Sequence, residues 1–166
     1  MNSPAIRTDA IISDCGRYRY ILYRQWDASC DSLVFCMLNP STADASQDDP
    51  TIRRCIGFAK ANGYGGIVVV NLFAFRATDP KKIPLELVVA MGPNNVMHMR
   101  EAAKGRDVVA AWGANPLASV TRPALQLLHA YANRVLCLGC TKAGAPRHPL
   151  YVAGEQPLIP YEAPNA

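Results

Sequence analysis

The chain has 166 residues, 50% of them apolar and 18% charged, with a formal net charge of +4. That is the composition of one ordinary globular domain with a real core, and its mild basicity permits an anionic partner without requiring one. No run of about 18 apolar residues occurs, so no transmembrane helix is expected. Met1–Asp14 also lacks the basic-then-apolar order of a secretory signal.

A cytoplasmic location follows as the expectation, with the six cysteines reduced. Cys137-Leu138-Gly139-Cys140 has the spacing of half a zinc site, but no second pair exists and Cys137 falls in an apolar run. No metal is therefore expected.

Residues 1–14 read as a loose lead-in. Tyr18–Trp26 is rich in aromatic residues and reads as a strand. Asp27–Asp31 is a turn, and Leu33–Leu38 returns, so the two runs are expected to form an antiparallel hairpin at an edge of the sheet. The second run leads straight into Asn39-Pro40-Ser41-Thr42. Pro40 removes a backbone donor and pushes Asn39 away from helical angles. The Asn39 amide is then expected to project into the space above the sheet, unless the segment is only a strand-ending turn.

Thr42–Asp49 is a polar loop carrying Asp44, Asp48 and Asp49. Asp49-Pro50 supplies an N-cap acceptor and a first-turn proline. Ile52, Cys55, Ile56 and Ala59 then repeat on one helical face, and Gly63 ends the helix. Arg53 and Arg54 lie in its first turn, either as solvated charges or as anion contacts beside the Asn39 loop.

Gly66–Phe75 is the strongest strand and is apolar almost throughout, as in a parallel sheet covered on both faces. Asn71 interrupts it. A buried amide without partners costs about 1–3 kcal/mol, so backbone or a ligand should meet it. Arg76–Pro80 forms a charged loop at the end of that strand.

Pro84–Met91 and Pro93–Lys104 read as two helices, with Val96, Met99 and Ala103 toward the core. Asp107–Trp112 is a third buried strand. Leu117–Tyr131 is helical, started or kinked by Pro123, with Ala124, Leu127, Leu128 and Tyr131 as its buried stripe. Arg134–Leu138 is the fourth strand. Gly139–Tyr151 is a long polar loop made basic by Lys142, Arg147 and His148, and residues 152–166 read as a tail.

The sum is a single α/β domain over residues 1–166: a three-layer α/β/α sandwich with a four-stranded, mostly parallel central sheet and an N-terminal β-hairpin. Asn39, Asn71 and the His148 loop should meet at one sheet edge, where ligands sit in such folds. The chain has no Gly-x-Ser-x-Gly elbow, Walker loop or Gly-x-Gly-x-x-Gly turn. Two amides and a histidine suit hydrolysis through an oxocarbenium-like state, in which the protein places water, holds the leaving group and shields charge.

The order Leu38-Asn39-Pro40, an apolar strand with Asn71, Trp112-Gly113 and His148-Pro149 resembles the uracil-DNA glycosylase superfamily. Ser41 stands where the mismatch-specific branch has glycine, and Leu150 where serine is usual. Longer phrases, among them Leu-Asn-Pro-Ser-Thr-Ala-Asp and Asn-Leu-Phe-Ala-Phe-Arg-Ala-Thr-Asp-Pro, resemble an uncharacterised bacterial domain-of-unknown-function family (number sixteen forty-three) over nearly the whole chain.

The glycosylase resemblance implies a DNA N-glycosylase acting on a flipped uracil, mismatched or modified base. By that resemblance Asn39 positions the water and His148 stabilises the departing base. Asn71 reads the base, with Phe73 or Phe75 as a stacking ring, and Leu150 fills the gap the base leaves. Arg53, Arg54, Arg76, Lys142 and Arg147 would contact DNA. Neither cofactor nor metal is expected, and the protein is expected to be a monomer away from membranes. Two alternatives stand beside this reading: a non-catalytic nucleic-acid or nucleotide-binding module with the same cleft, and a hydrolase of free nucleosides.

Overall fold

The four apolar runs become strands because each alternates its side chains between two separate cores. The computed structural model describes residues 7–114 and 118–162. Among these, seven strands form one sheet: β1 (Arg7–Ile12), β2 (Arg19–Gln25), β3 (Ser32–Met37), β4 (Gly66–Asn71), β5 (Asp107–Ala110), β6 (Arg134–Cys137) and β7 (Ile159–Pro160). Their spatial order is β1-β2-β4-β3-β5-β6-β7. The inner pairs β3·β4, β3·β5 and β5·β6 are parallel, whereas β1·β2, β2·β4 and β6·β7 are antiparallel.

The helices are α1 (Pro50–Ala61), α2 (Leu87–Met91), α3 (Asn95–Ala103) and α4 (Ala118–Tyr131). Phe35, Ile67 and Val69 pack with Ile52, Cys55 and Phe58 of α1 on one face of the sheet. Val34, Val68 and Val70 pack with Met99 of α3 and Leu128 of α4 on the other. No helix among the described residues is long and apolar enough to cross a membrane.

Several expectations change. The hairpin of the Tyr18–Trp26 and Leu33–Leu38 runs does not form. β2 lies between β1 and β4, because the turn after it returns β3 to the interior of the sheet. Gly65 permits that crossing: a Cβ there would lie 2.0 Å from the Asp27 carbonyl oxygen.

The lead-in is partly the edge strand β1. The tail supplies β7, whose Pro160 sits where a missing N–H is tolerated, on an edge, and Tyr161 is buried behind it. The sheet is therefore wider and of more mixed direction than four strands and a hairpin. The third strand ends at Ala110 rather than Trp112, and Pro123 lies inside α4. Val96 is 51% and Tyr131 41% exposed, so neither belongs to the core assigned to it. The expected helix start at Leu117 lies outside the described residues.

From β3 the chain moves through α1 to β4, and from β5 it moves through α4 to β6 on the opposite side. The carboxyl ends of β3 and β5 thus flank a topological switch point, the position at which open α/β sheets form a crevice.

Candidate functional site

A cavity of about 920 Å³ opens at this switch point. Its apolar floor comes from Met37, Val69 and Ile52, all members of the α1-side core. Strand alternation puts Asn71 on the same face, two residues beyond Val69 and in register with Met37.

Asn39, Asn71 and His148 all line this one cavity. Asn71 is 1% exposed, and among the described residues neither Oδ1 nor Nδ2 of its side chain has a hydrogen-bond partner. Its backbone carbonyl is held by the buried Asn95 Nδ2 at 2.8 Å, so the end of β4 is fixed while the side chain stays uncommitted.

Asn39 is the reverse case. Its Nδ2 donates to the Ala77 carbonyl at 2.7 Å and to the Pro40 carbonyl at 3.0 Å. Among the described residues Oδ1 accepts no hydrogen bond, which leaves it as the free, accepting end of the amide.

His148 is half-buried before a 3-10 turn, Pro149–Tyr151. The Leu150 N–H donates to its Nδ1 at 3.2 Å. A neutral ring so held carries its proton on Nε2. Burial lowers its pKa, with the Asp49 carboxylate opposing, and so favours the neutral ring. Gly113, at φ +78°, passes close by: a Cβ there would sit 3.6 Å from the His148 Cβ.

The polar loop before α1 is pinned from β2 by two buried arginines that strand alternation did not single out. Arg24 donates through Nε to Asp48 at 2.8 Å and through Nη2 to the Asp44 carbonyl at 2.5 Å. Arg19 donates to the Ala43 carbonyl at 2.7 Å and itself lines the cavity. The only signal available in the sequence was a pair of cations inside an aromatic strand.

The three aspartates divide their roles. Asp44 accepts from the backbone of Ser46 and Gln47, which lowers its pKa. Asp48 pairs with Arg24, and Asp49 caps α1 by accepting from the Ile52 N–H at 2.9 Å.

The remaining expected contacts are only partly gathered. Arg147 and Leu150 line the cavity, and Leu150 is 42% exposed. Phe73 is displaced from its expected role: it is 3% exposed within the core on the other face of the sheet, since two further residues beyond Asn71 the chain has left the strand and turned inward.

Arg54 is likewise committed to structure. Its Nε donates to the Pro149 carbonyl at 3.1 Å and its Nη2 to that of Val152, so it holds the His148 turn rather than facing a ligand. Arg53 is exposed and bonds the Asp48 carbonyl at 3.1 Å. Arg76 reaches the Gly16 carbonyl at 3.4 Å, and Lys142 is exposed. None of these three lines the cavity. The thiols of Cys137 and Cys140 lie 3.8 Å apart.

A family model described as Protein of unknown function (DUF1643) matches residues 19–150. No curated protein and no solved structure matches the chain.

Proposed function

This chain belongs to the family described as Protein of unknown function (DUF1643), and we propose that it is a glycosylase-type hydrolase that cleaves the N-glycosidic bond of a flipped base in DNA. One observation carries the reading. A single cavity is lined by an amide with no partner, an amide whose donor is already tied down, and a histidine with one nitrogen fixed as acceptor. The ordered likeness to uracil-DNA glycosylases, Asn39-Pro40 through His148-Pro149, supports the same assignment.

In this mechanism Asn71 reads the base edge with both amide atoms, relieving a burial cost of about 1–3 kcal/mol. Asn39 Oδ1 accepts a hydrogen bond from water and orients it toward the anomeric carbon. As the carbon–nitrogen bond breaks, its electron pair leaves with the base and the sugar gains cationic character. His148 Nε2–H donates to the base as negative charge develops. The water oxygen bonds to the anomeric carbon and its proton passes to solvent. Arg147 offers a phosphate contact at the rim, and Leu150 a wedge.

Single-turnover assays on oligonucleotides carrying uracil, mismatched and modified bases test this directly. At least one base should be released. Asn39→Ala should slow that release about 10²–10³-fold, with little change in DNA affinity. DNA binding without release from any substrate would reduce the cavity to a binding module.

A further inference from the structure

Asn71 is not the only cavity group without a partner. Arg19 is 2% exposed and lines the same floor. Among the described residues its side chain makes one hydrogen bond, from Nη1 to the Ala43 carbonyl, and its Nε–H is buried with no acceptor. It forms no ion pair among the described residues.

Asp49 is close enough to favour the cation, but its carboxylate is occupied by the N–H groups of Ile52 and Ala43. Arg76 and Arg24 add like charge. Burial outweighs the Asp49 attraction and pulls the guanidinium pKa down to about 10. A guanidinium offers five donors in a fixed fork, and burying it so sparsely satisfied is expensive unless something else accepts from it.

The free groups of the floor therefore have a definite polarity. Arg19 contributes a donor, and Asn71 contributes donors on Nδ2 and one acceptor on Oδ1. The complementary edge carries two acceptor oxygens and one N–H. An amino group in place of either oxygen would set donor against donor.

We infer that Arg19 is a specificity-determining residue of this cavity, donating to a ring carbonyl oxygen of the bound base beside the part of the edge that Asn71 reads. The ligand class is a ring with an imide edge, C(=O)–N–H–C(=O). The inference deepens the glycosylase reading and rests on it only for the claim that the ring is a nucleobase.

The test pairs deletion of the residue with deletion of the oxygen. The full chain is titrated by NMR with uracil, 2-pyrimidinone and 4-pyrimidinone, the last two each lacking one ring oxygen. Arg19→Met should weaken uracil about ten- to hundredfold. One of the two pyrimidinones, the one lacking the oxygen that Arg19 holds, should bind wild type and mutant alike. If Arg19→Met does not fold, Arg19→Lys gives the same comparison, since it keeps the charge but not the planar fork.

Equal binding of all three ligands by wild type and mutant would overturn the inference. So would an equal loss for all three, the mark of a purely structural arginine, or no binding of any by wild type. Base release is scored separately on oligonucleotides. Release without Arg19–oxygen coupling sinks the Arg19 assignment alone, and coupling without release sinks the hydrolysis alone.

Discussion

His148 joins structure and chemistry in one ring. Its Nδ1 accepts from the Leu150 N–H and so caps the short turn, and that same bond dictates that the proton of the neutral ring sits on Nε2. Burial lowers its pKa below the ordinary histidine value near 6.5. A depressed histidine is neutral above its folded pKa and gains charge only as the pH falls through it. The neutral ring should thus hold its place at pH 7; on acidification below the usual histidine range Nδ1 takes up a proton, can no longer accept from the Leu150 N–H, and the placement of the Nε2–H donor is lost. Base release by wild type should be flat from pH 8 to about 6.5 and acquire its acid limb below that. His148→Ala should lower single-turnover release about 10²–10³-fold and remove that limb. A mutant as slow as this that keeps the wild-type acid limb would assign the limb to another group. Asn71 makes the complementary point at the same scale. Its burial was anticipated from one polar residue in an apolar strand, together with a partner from backbone or ligand that the described residues do not supply, whereas the buried Arg19 lining the same cavity was not, because nothing local distinguishes a buried strand arginine from a solvated one.

At the scale of elements, α1 is the part written most plainly in sequence. Asp49 caps it, Pro50 opens it, and Ile52, Cys55 and Ala59 of the expected face are buried, joined by Phe58, while Ile56 is only half-buried. These are local signals and depend on nothing distant. The partner of β2 depends on where β3 is returned, a non-local choice between two apolar neighbours, and the hairpin expectation failed there. β7 failed for another reason: two residues, one a proline, carry no periodicity. Arg54 shows what such non-local packing does to a site. Its sequence position allowed a solvated charge or an anion contact, yet it holds the carbonyls of Pro149 and Val152 and so ties α1 to the His148 turn. Arg54→Ala should leave those carbonyls short of a charged donor and cost about 1–3 kcal/mol of stability. Hydrogen exchange at Leu150 and Tyr151 should accelerate, while the salt dependence of DNA binding stays as in wild type. A flatter salt slope in the mutant would instead restore Arg54 as a phosphate contact.

Across the whole molecule, the two ends of the sheet are used differently. The carboxyl ends carry under-satisfied groups around a cavity, and the amino ends carry an over-satisfied one. Asp107, at the start of β5, accepts from Tyr64 Oη at 2.6 Å, Arg134 Nη2 at 2.7 Å and Asn133 Nδ2 at 2.9 Å. These bonds, that of Arg134 foremost, hold its carboxyl well below the usual carboxylate range. The staple thereby joins β5, β6 and the segment after α1 at the end remote from the cavity. A depressed folded pKa means stability that is fully present above the unfolded carboxylate value near 4 and lost as the pH falls below it. Arg134 is largely exposed, so solvent screens the pair and the gain is modest. Asp107→Asn should cost about 1–2 kcal/mol at pH 7 and leave base release unchanged, since no cavity group is touched. Urea unfolding at pH 7, 4, 3 and 2 measures this: the wild-type advantage over the mutant should be constant from pH 7 to about 4 and shrink progressively from there toward pH 2. An advantage that does not shrink at all between pH 4 and 2 would show that the ionised carboxylate is not what joins these strands.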